Sequence, residues 1–184
     1  MSEPQLRIAL FGALRILAGG QPIRLAAPPM TFPLLAYLLV HRDRNVARET
    51  LAFTLWPEES ESAAKANLRR HLHYLQRLLP PPAADVPWVL ADARAVRWNP
   101  AAAAEIDIAE FERRIAGGAR AEAVALYEGD LLEEQDAEWI LAERERLRAL
   151  HVDNLSQLIA AARAERRFGR ALQFARRLLH HDPW

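Results

Sequence analysis

The sequence predicts an α+β chain in two units, residues 1–104 and 105–184, and three observations carry that expectation. Short runs of alternating apolar residues occur near the start and again after residue 87, which is the spacing of half-buried strands. Between them lie stretches of helical periodicity, the longest being Glu61 to Leu79, which contains no Gly or Pro. From residue 105 onward the patterns are helical only. Charge divides along the same line: residues 1–104 hold 12 Lys+Arg against 8 Asp+Glu and residues 105–184 hold 12 against 16, within a net charge of zero. A basic unit followed by an acidic one points to different partners for each.

In chain order, Leu6 to Phe11 alternates around Leu6, Ile8 and Leu10. Ala13 to Leu17 continues the extended pattern, Gly19-Gly20 supplies a tight turn, and Pro22 to Leu25 returns, which together predict a small antiparallel sheet. After Pro28-Pro29, Thr31 is placed as the N-cap of a helix over Phe32 to His41, apolar on nearly every side and therefore buried. Arg48 to Trp56 reads as a second short helix, turning Leu51, Leu55 and Trp56 inward, stopped at Pro57 and capped by Asn45 because Ala47 has no capping hydroxyl. Arg48 in its first turn opposes the helix dipole by about 0.3–1 kcal/mol at an exposed site. Either a phosphate or Glu49 offsets that cost.

Glu61 to Leu79 is the central element. Ala64, Leu68, Leu72, Leu75 and Leu79 recur every three or four residues and form one buried stripe, and the Pro80-Pro81-Pro82 run stops the helix. Lys65, Arg69, His73 and Arg77 form an opposite, basic stripe with Arg70 beside it, while Asn67 and His71 fall on the flank. A helix that buries one side and turns cations outward has the form needed to enter a DNA major groove, although a solvated Arg-rich surface has the same pattern. Beyond the prolines, Trp88 to Leu90 and Ala95 to Trp98 read as a hairpin around Asp92-Ala93-Arg94, with Val96 and Trp98 inward and Arg97 outward. Strands, three helices and a closing hairpin make a winged helix-turn-helix with flanking antiparallel strands.

Other chemistry finds little support. The chain has no cysteine, which excludes disulfides, thiol catalysis and thiolate metal sites. His71 and His73 are two apart and would point about 200° apart on a helix, so they cannot share a metal. Glu133-Glu134-Gln135-Asp136 lacks the alternating carboxylates and glycine of a calcium loop and reads as the start of a helix. Gly117-Gly118 leads into no G-K-[ST] phosphate loop. No carboxylate pair is placed as a general acid and base, so neither an enzyme nor a cofactor is expected. Met1 to Gln5 lacks the basic start of a signal peptide and no run is long enough to span a bilayer, so a cytoplasmic protein without membrane association is expected. Trp56, Trp98 and Trp139 sit in apolar patterns and are expected in cores.

The second unit begins with Asp107 as the cap of a helix ending at Gly117-Gly118, followed by Arg120 to Tyr127 and a break at Gly129. Asp136 opens a long helix to about Arg166, with Trp139, Ile140, Leu147, Leu150, Leu155, Leu158, Ile159 and Ala162 as its apolar positions. The segment AERRFGRALQFARRLLHHDPW then resembles the turn and second helix of a tetratricopeptide-type repeat. A lone helical pair cannot bury its own apolar side, which predicts an all-α, tetratricopeptide-like domain cut short at its C-terminus.

The motifs LRIALFGALRIL, LLAYLLVHRDRNVARETLAFTLWPEE, AAKANLRRHLHYLQRLLP and VRWNP resemble the OmpR-type winged helix of the antibiotic-regulatory-protein (SARP) family of bacterial transcriptional activators. Asp107-Ile108-Ala109-Glu110-Phe111-Glu112, Ala125 to Leu132, Glu138-Trp139 and Glu143 to Leu147 resemble that family's bacterial transcriptional activator domain. The resemblance implies sequence-specific binding to double-stranded promoter DNA, as a homodimer or as paired copies on repeated half-sites, and recruitment of RNA polymerase holoenzyme. Carried over by position, Asn67, Arg69, Arg70 and His73 meet base edges, and Arg48, Lys65, Arg77, Arg94 and Arg97 meet phosphates. The segment AAPPMT departs from the family in lacking a basic residue, and the wing in lacking glycine near its tip. The competing reading is a protein-interaction module whose helical half docks a partner and whose winged helix does not read DNA.

Overall fold

The computed structural model describes residues 6–81 and 86–181, with side chains through Leu179. Expectations placed on Met1 to Gln5, Pro82, the His180-His181 side chains and Pro183 lie outside the described residues. The chain is α+β and divides into two compact units, one of residues 1–8 and 15–105, the other of residues 9–14 and 106–184.

In the first unit, β1 (Leu6–Ala9), β2 (Arg15–Ala18), β3 (Gln21–Pro22) and β7 (Ala104–Ile106) form a four-stranded sheet in the order β3-β2-β1-β7. Alternation is the reason: Leu6, Ile8 and Ile16 are buried while Arg7 and Arg15 are exposed, and Gly19 and Gly20 take the positive φ values that the turn between β2 and β3 requires. An exposed ion pair, Arg7 on β1 to Glu105 on β7 at 3.1 Å, links those two neighbouring strands. Three helices follow, α1 (Thr31–Val40), α2 (Arg48–Leu55) and α3 (Glu61–Leu78). A second sheet, in the order β4-β6-β5, is made by β4 (Val46–Ala47), β5 (Val89–Ala91) and β6 (Ala95–Trp98). The α1 side chains Leu34, Leu35, Ala36, Leu38 and Leu39 have no exposure, which accounts for an apolar helix of only ten residues.

Two caps expected from the sequence in this unit are not made. The Thr31 side chain does not cap α1; its hydroxyl is buried and shares a hydrogen bond with His71. Asn45 does not cap α2, because Val46 and Ala47 are drawn into β4 and the first amide of the helix, Arg48 N–H, donates instead to the Arg94 carbonyl at 2.9 Å.

The second unit is built from α4 (Asp107–Ala116), α5 (Arg120–Leu126), α6 (Glu138–Ala164) and α7 (Phe168–His181). Its core contains Phe11, whose ring lies 5.3 Å edge-on from Phe111 and 4.7 Å from Tyr127, and His151 stacks on Tyr127 at 4.1 Å. Asp107 is not the expected helix cap. One carboxylate oxygen accepts from the amides of Leu10 and Phe11 at 2.8 Å each, anchoring the 9–14 segment. The turn after Tyr127 zips onto the same segment: Gly12 N–H donates to the Asp130 carbonyl and Leu132 N–H to the Leu10 carbonyl.

Arg144 donates to the carbonyls of Leu131, Leu132 and Gln135, which holds Leu132 at a φ of 47° that an ordinary side chain resists. Because that turn runs through Asp136, α6 begins at Glu138 rather than Asp136. Of its expected apolar positions Ile140, Leu147, Leu155 and Ala162 are buried, whereas Trp139, Leu150, Leu158 and Ile159 are half-buried. Among the described residues, no helix is long and apolar enough to cross a membrane.

Candidate nucleic-acid interface

The candidate surface is built on α3. Ser60 caps it, its hydroxyl accepting from Ala63 N–H at 3.4 Å; Glu61 in the first turn and Arg77 in the last both suit the helix dipole. Ala64, Leu68, Leu72, Leu75 and Leu79 are all buried, as the spacing predicts. Arg69, Arg70, His73 and Arg77 are exposed and Asn67 is half-buried.

His71, expected on the flank between the two stripes, is drawn into the buried side. Only 8% exposed, it shares a 3.0 Å hydrogen bond between Nδ1 and the Thr31 hydroxyl, and its ring lies 5.2 Å from Trp56. The helix therefore buries a wider arc than its leucines alone indicate. Burial, with Arg70 alongside, pushes the His71 pKa below its ordinary value. A histidine depressed in the folded state leaves stability intact above its unfolded pKa of about 6.5 and removes it as pH falls below that value. Thermal unfolding followed from pH about 7 to 5 is expected to show that loss, and His71→Gln, which keeps an acceptor for Thr31, is expected to flatten it.

The remaining cations fall into distinct settings. Arg48, Lys65, Arg69 and Arg94 line one open cleft of ≈ 440 Å³ formed by the start of α2, the first half of α3 and the tip of the β5–β6 hairpin. Arg48 is tied to the hairpin, its guanidinium donating to the Asp92 carbonyl at 3.2 Å. Arg94 is exposed at the tip. Arg97 stands opposite Leu90 on β5 with its Nε buried and unpartnered, outside the cleft lining. Arg70 donates to Asn67 Oδ1 at 2.7 Å, so an adenine contact through both polar atoms of Asn67 requires Arg70 to let go.

Lys65 is the most committed, its ammonium lying 2.8 Å from Glu49 and 2.6 Å from Glu61. The four-residue spacing from Glu61 to Lys65 makes that partner legible in the sequence. Glu49, brought from α2 by the fold, is not.

The wing does without glycine at its tip. Asp92 Oδ1 accepts from the amides of Arg94 and Ala95 at 2.7 and 2.8 Å, and Asp92 N–H donates to the Ala95 carbonyl, so the side chain closes the turn. Those amides hold the Asp92 carboxyl below the usual carboxylate range. Val96 and Trp98 point inward, Trp98 stacking on Trp88 at 6.0 Å, while Trp88 Nε1 donates to the Pro80 carbonyl and fixes the chain leaving α3.

Residues 94–184 match the family described as bacterial transcriptional activator domain. The chain belongs to the SARP-type bacterial transcriptional regulators. Over 91 residues, 50% of the chain, it is 32% identical to the transcriptional regulatory protein EmbR of Mycobacterium bovis and of Mycobacterium tuberculosis. The matched part spans only 23% of those relatives. A solved structure of Mycobacterium tuberculosis EmbR, in complex with a low-affinity phosphopeptide, aligns with 98% of this SARP-type chain and 61% of its own, at a TM-score of 0.57 and 20% identity. That likeness is one of fold. The SARP family and these relatives are named for transcription regulation, not for catalysis.

Proposed function

We propose that this SARP-type chain is a sequence-specific, double-stranded DNA-binding transcriptional regulator that acts as an activator in the cytoplasm. The observation that carries the reading is the convergence of Arg48, Lys65, Arg69 and Arg94 on one open cleft, next to the exposed Arg70, His73 and Arg77 of the same helix. With α3 in the major groove, Asn67, Arg69, Arg70 and His73 face base edges, while Arg48, Arg77, Arg94 and Arg97 face phosphates and set the register; Lys65, on the same side, reaches a phosphate only when its carboxylate partners release it. One unit with so few cations binds weakly, so two copies on direct or inverted half-sites supply useful affinity, and RNA polymerase holoenzyme is the partner of the acidic helical unit.

A mobility-shift titration against salt tests this. Contact with about four to six phosphates gives a log–log slope near −4 to −5. Arg69→Ala and Arg70→Ala are expected to relax base preference at individual positions by about 1–3 kcal/mol, whereas Arg94→Ala weakens all sequences evenly and reduces the slope by about 1. Binding that is absent or indifferent to salt, with a protein partner retained, favours the interaction-module reading instead.

A further inference from the structure

Lys65 stands one turn before Arg69 on the outward stripe and borders the cationic cleft, yet it is not available to a phosphate as the other cations there are. Its Nζ is shared between Glu49 Oε1 and Glu61 Oε1. Two carboxylates on one ammonium leave the trio with a net negative charge. Glu61 belongs to the same helix, where a Glu four residues before a Lys is a common stabilising pair. Glu49 is different: it comes from α2 and lines the cleft beside Arg48, Arg69 and Arg94. Ion pairs this exposed add little to stability, so stability does not account for a carboxylate placed among the cations of that cleft.

We propose, resting on the DNA-binding reading, that Glu49 is a specificity-determining residue that holds Lys65 away from the phosphate backbone and weakens binding to duplex of arbitrary sequence. A phosphate entering the cleft must compete with Glu49 for Lys65 and then lie close to the displaced carboxylate. The backbone imposes this penalty at every site that offers Glu49 no compensating donor. It is relieved where a base amino group in the major groove, such as that of cytosine, donates to Glu49 once it is released. Discrimination therefore comes from a repulsive element placed among attractive ones.

The test uses the full chain with heparin and a random-sequence duplex as probes. Glu49→Gln is expected to tighten random-duplex binding roughly three- to tenfold, to steepen the salt slope by about 0.9, the value for one added phosphate contact, and to raise the salt needed for elution from heparin. Lys65→Gln is expected to change random-duplex affinity little in the parent chain and to abolish the gain in the Glu49→Gln background. Equal or weaker binding by Glu49→Gln overturns the proposal, as does a Lys65→Gln loss of the same size in both backgrounds. In either case the parent chain still binds duplex and the DNA-binding reading stands. If neither the parent nor Glu49→Gln binds duplex or heparin, both fall.

Discussion

Phe11→Ala is expected to destabilise the helical unit by about 3–5 kcal/mol, although the residue lies near the N-terminus, before the first helix. The ring is 1% exposed and packs against Phe111 and Tyr127, two of the largest buried side chains. Alanine keeps the backbone bonds, since Phe11 N–H still reaches Asp107 and Gly12 N–H still reaches Asp130. What is lost is apolar contact and edge-to-face ring packing, with a cavity left where the ring stood. Around it, Tyr127 donates to Asp130 at 2.6 Å and Arg148 pairs with the same carboxylate, so the rim of the cavity is a fixed polar network that cannot readily collapse inward. Burial, joined by the Asp130 carboxylate, pushes the Tyr127 hydroxyl up, so it remains a donor throughout the physiological range. Hydrogen exchange is the measurement: amides of α4, α5 and α6 should lose protection while those of α1 and α3 keep theirs. Loss confined to α1 and α3 would show that Phe11 serves the other unit.

That result would turn on something the sequence does not display. Leu6 to Phe11 alternates as one strand, and no local signal divides it after Ile8 so that Phe11 joins a core formed by residues about a hundred positions later. Asp107 has the same difficulty, since an acid at a helix start satisfies the capping pattern whichever amides it accepts from. β4 and β7 contain two and three residues, too few for any periodicity, and exist because Val46 pairs with Val96 and Ala104–Ile106 lies beside β1. Thr31 and Trp139 were misplaced for a related reason: the burial of a single side chain depends on partners from other elements. The legible parts are those in which one stretch contains its own explanation. α3 has a five-residue apolar stripe and prolines beyond its end, and all five stripe positions are buried. The wing was legible as two apolar runs, and its closure by Asp92 needs only a carboxylate two residues before the amide it accepts from. At the surface, helical spacing shows which cations face outward but not which are already paired. Arg70 with Asn67 and Lys65 with Glu61 lie within one turn and are readable, while Lys65 with Glu49 required the fold.

Leu75→Ala is expected to destabilise the winged-helix unit by about 2–5 kcal/mol, a large fraction of the roughly 5–15 kcal/mol that holds a domain folded. Leu75 has no exposure and lies on the stripe that seats α3, so its removal leaves a void under the helix. Leu72, at 8% exposure, sits closer to the edge of the same stripe, and its truncation should cost less because solvent and neighbours refill the space. The two substitutions separate holding the helix from reading DNA with it. A Leu75→Ala chain loses duplex affinity only in proportion to its unfolded fraction, so binding recovers on cooling from the melting range towards the temperature of maximum stability. Arg69→Ala is the opposite case: the side chain is exposed, urea unfolding is expected within about 0.5 kcal/mol of the parent, and the binding defect persists at every temperature. If Leu75→Ala instead keeps parental stability in urea, α3 is not held by its leucines. The outward arginines would then have no rigid seat, and the groove-reading geometry proposed for Arg69, Arg70 and His73 would lose its physical basis.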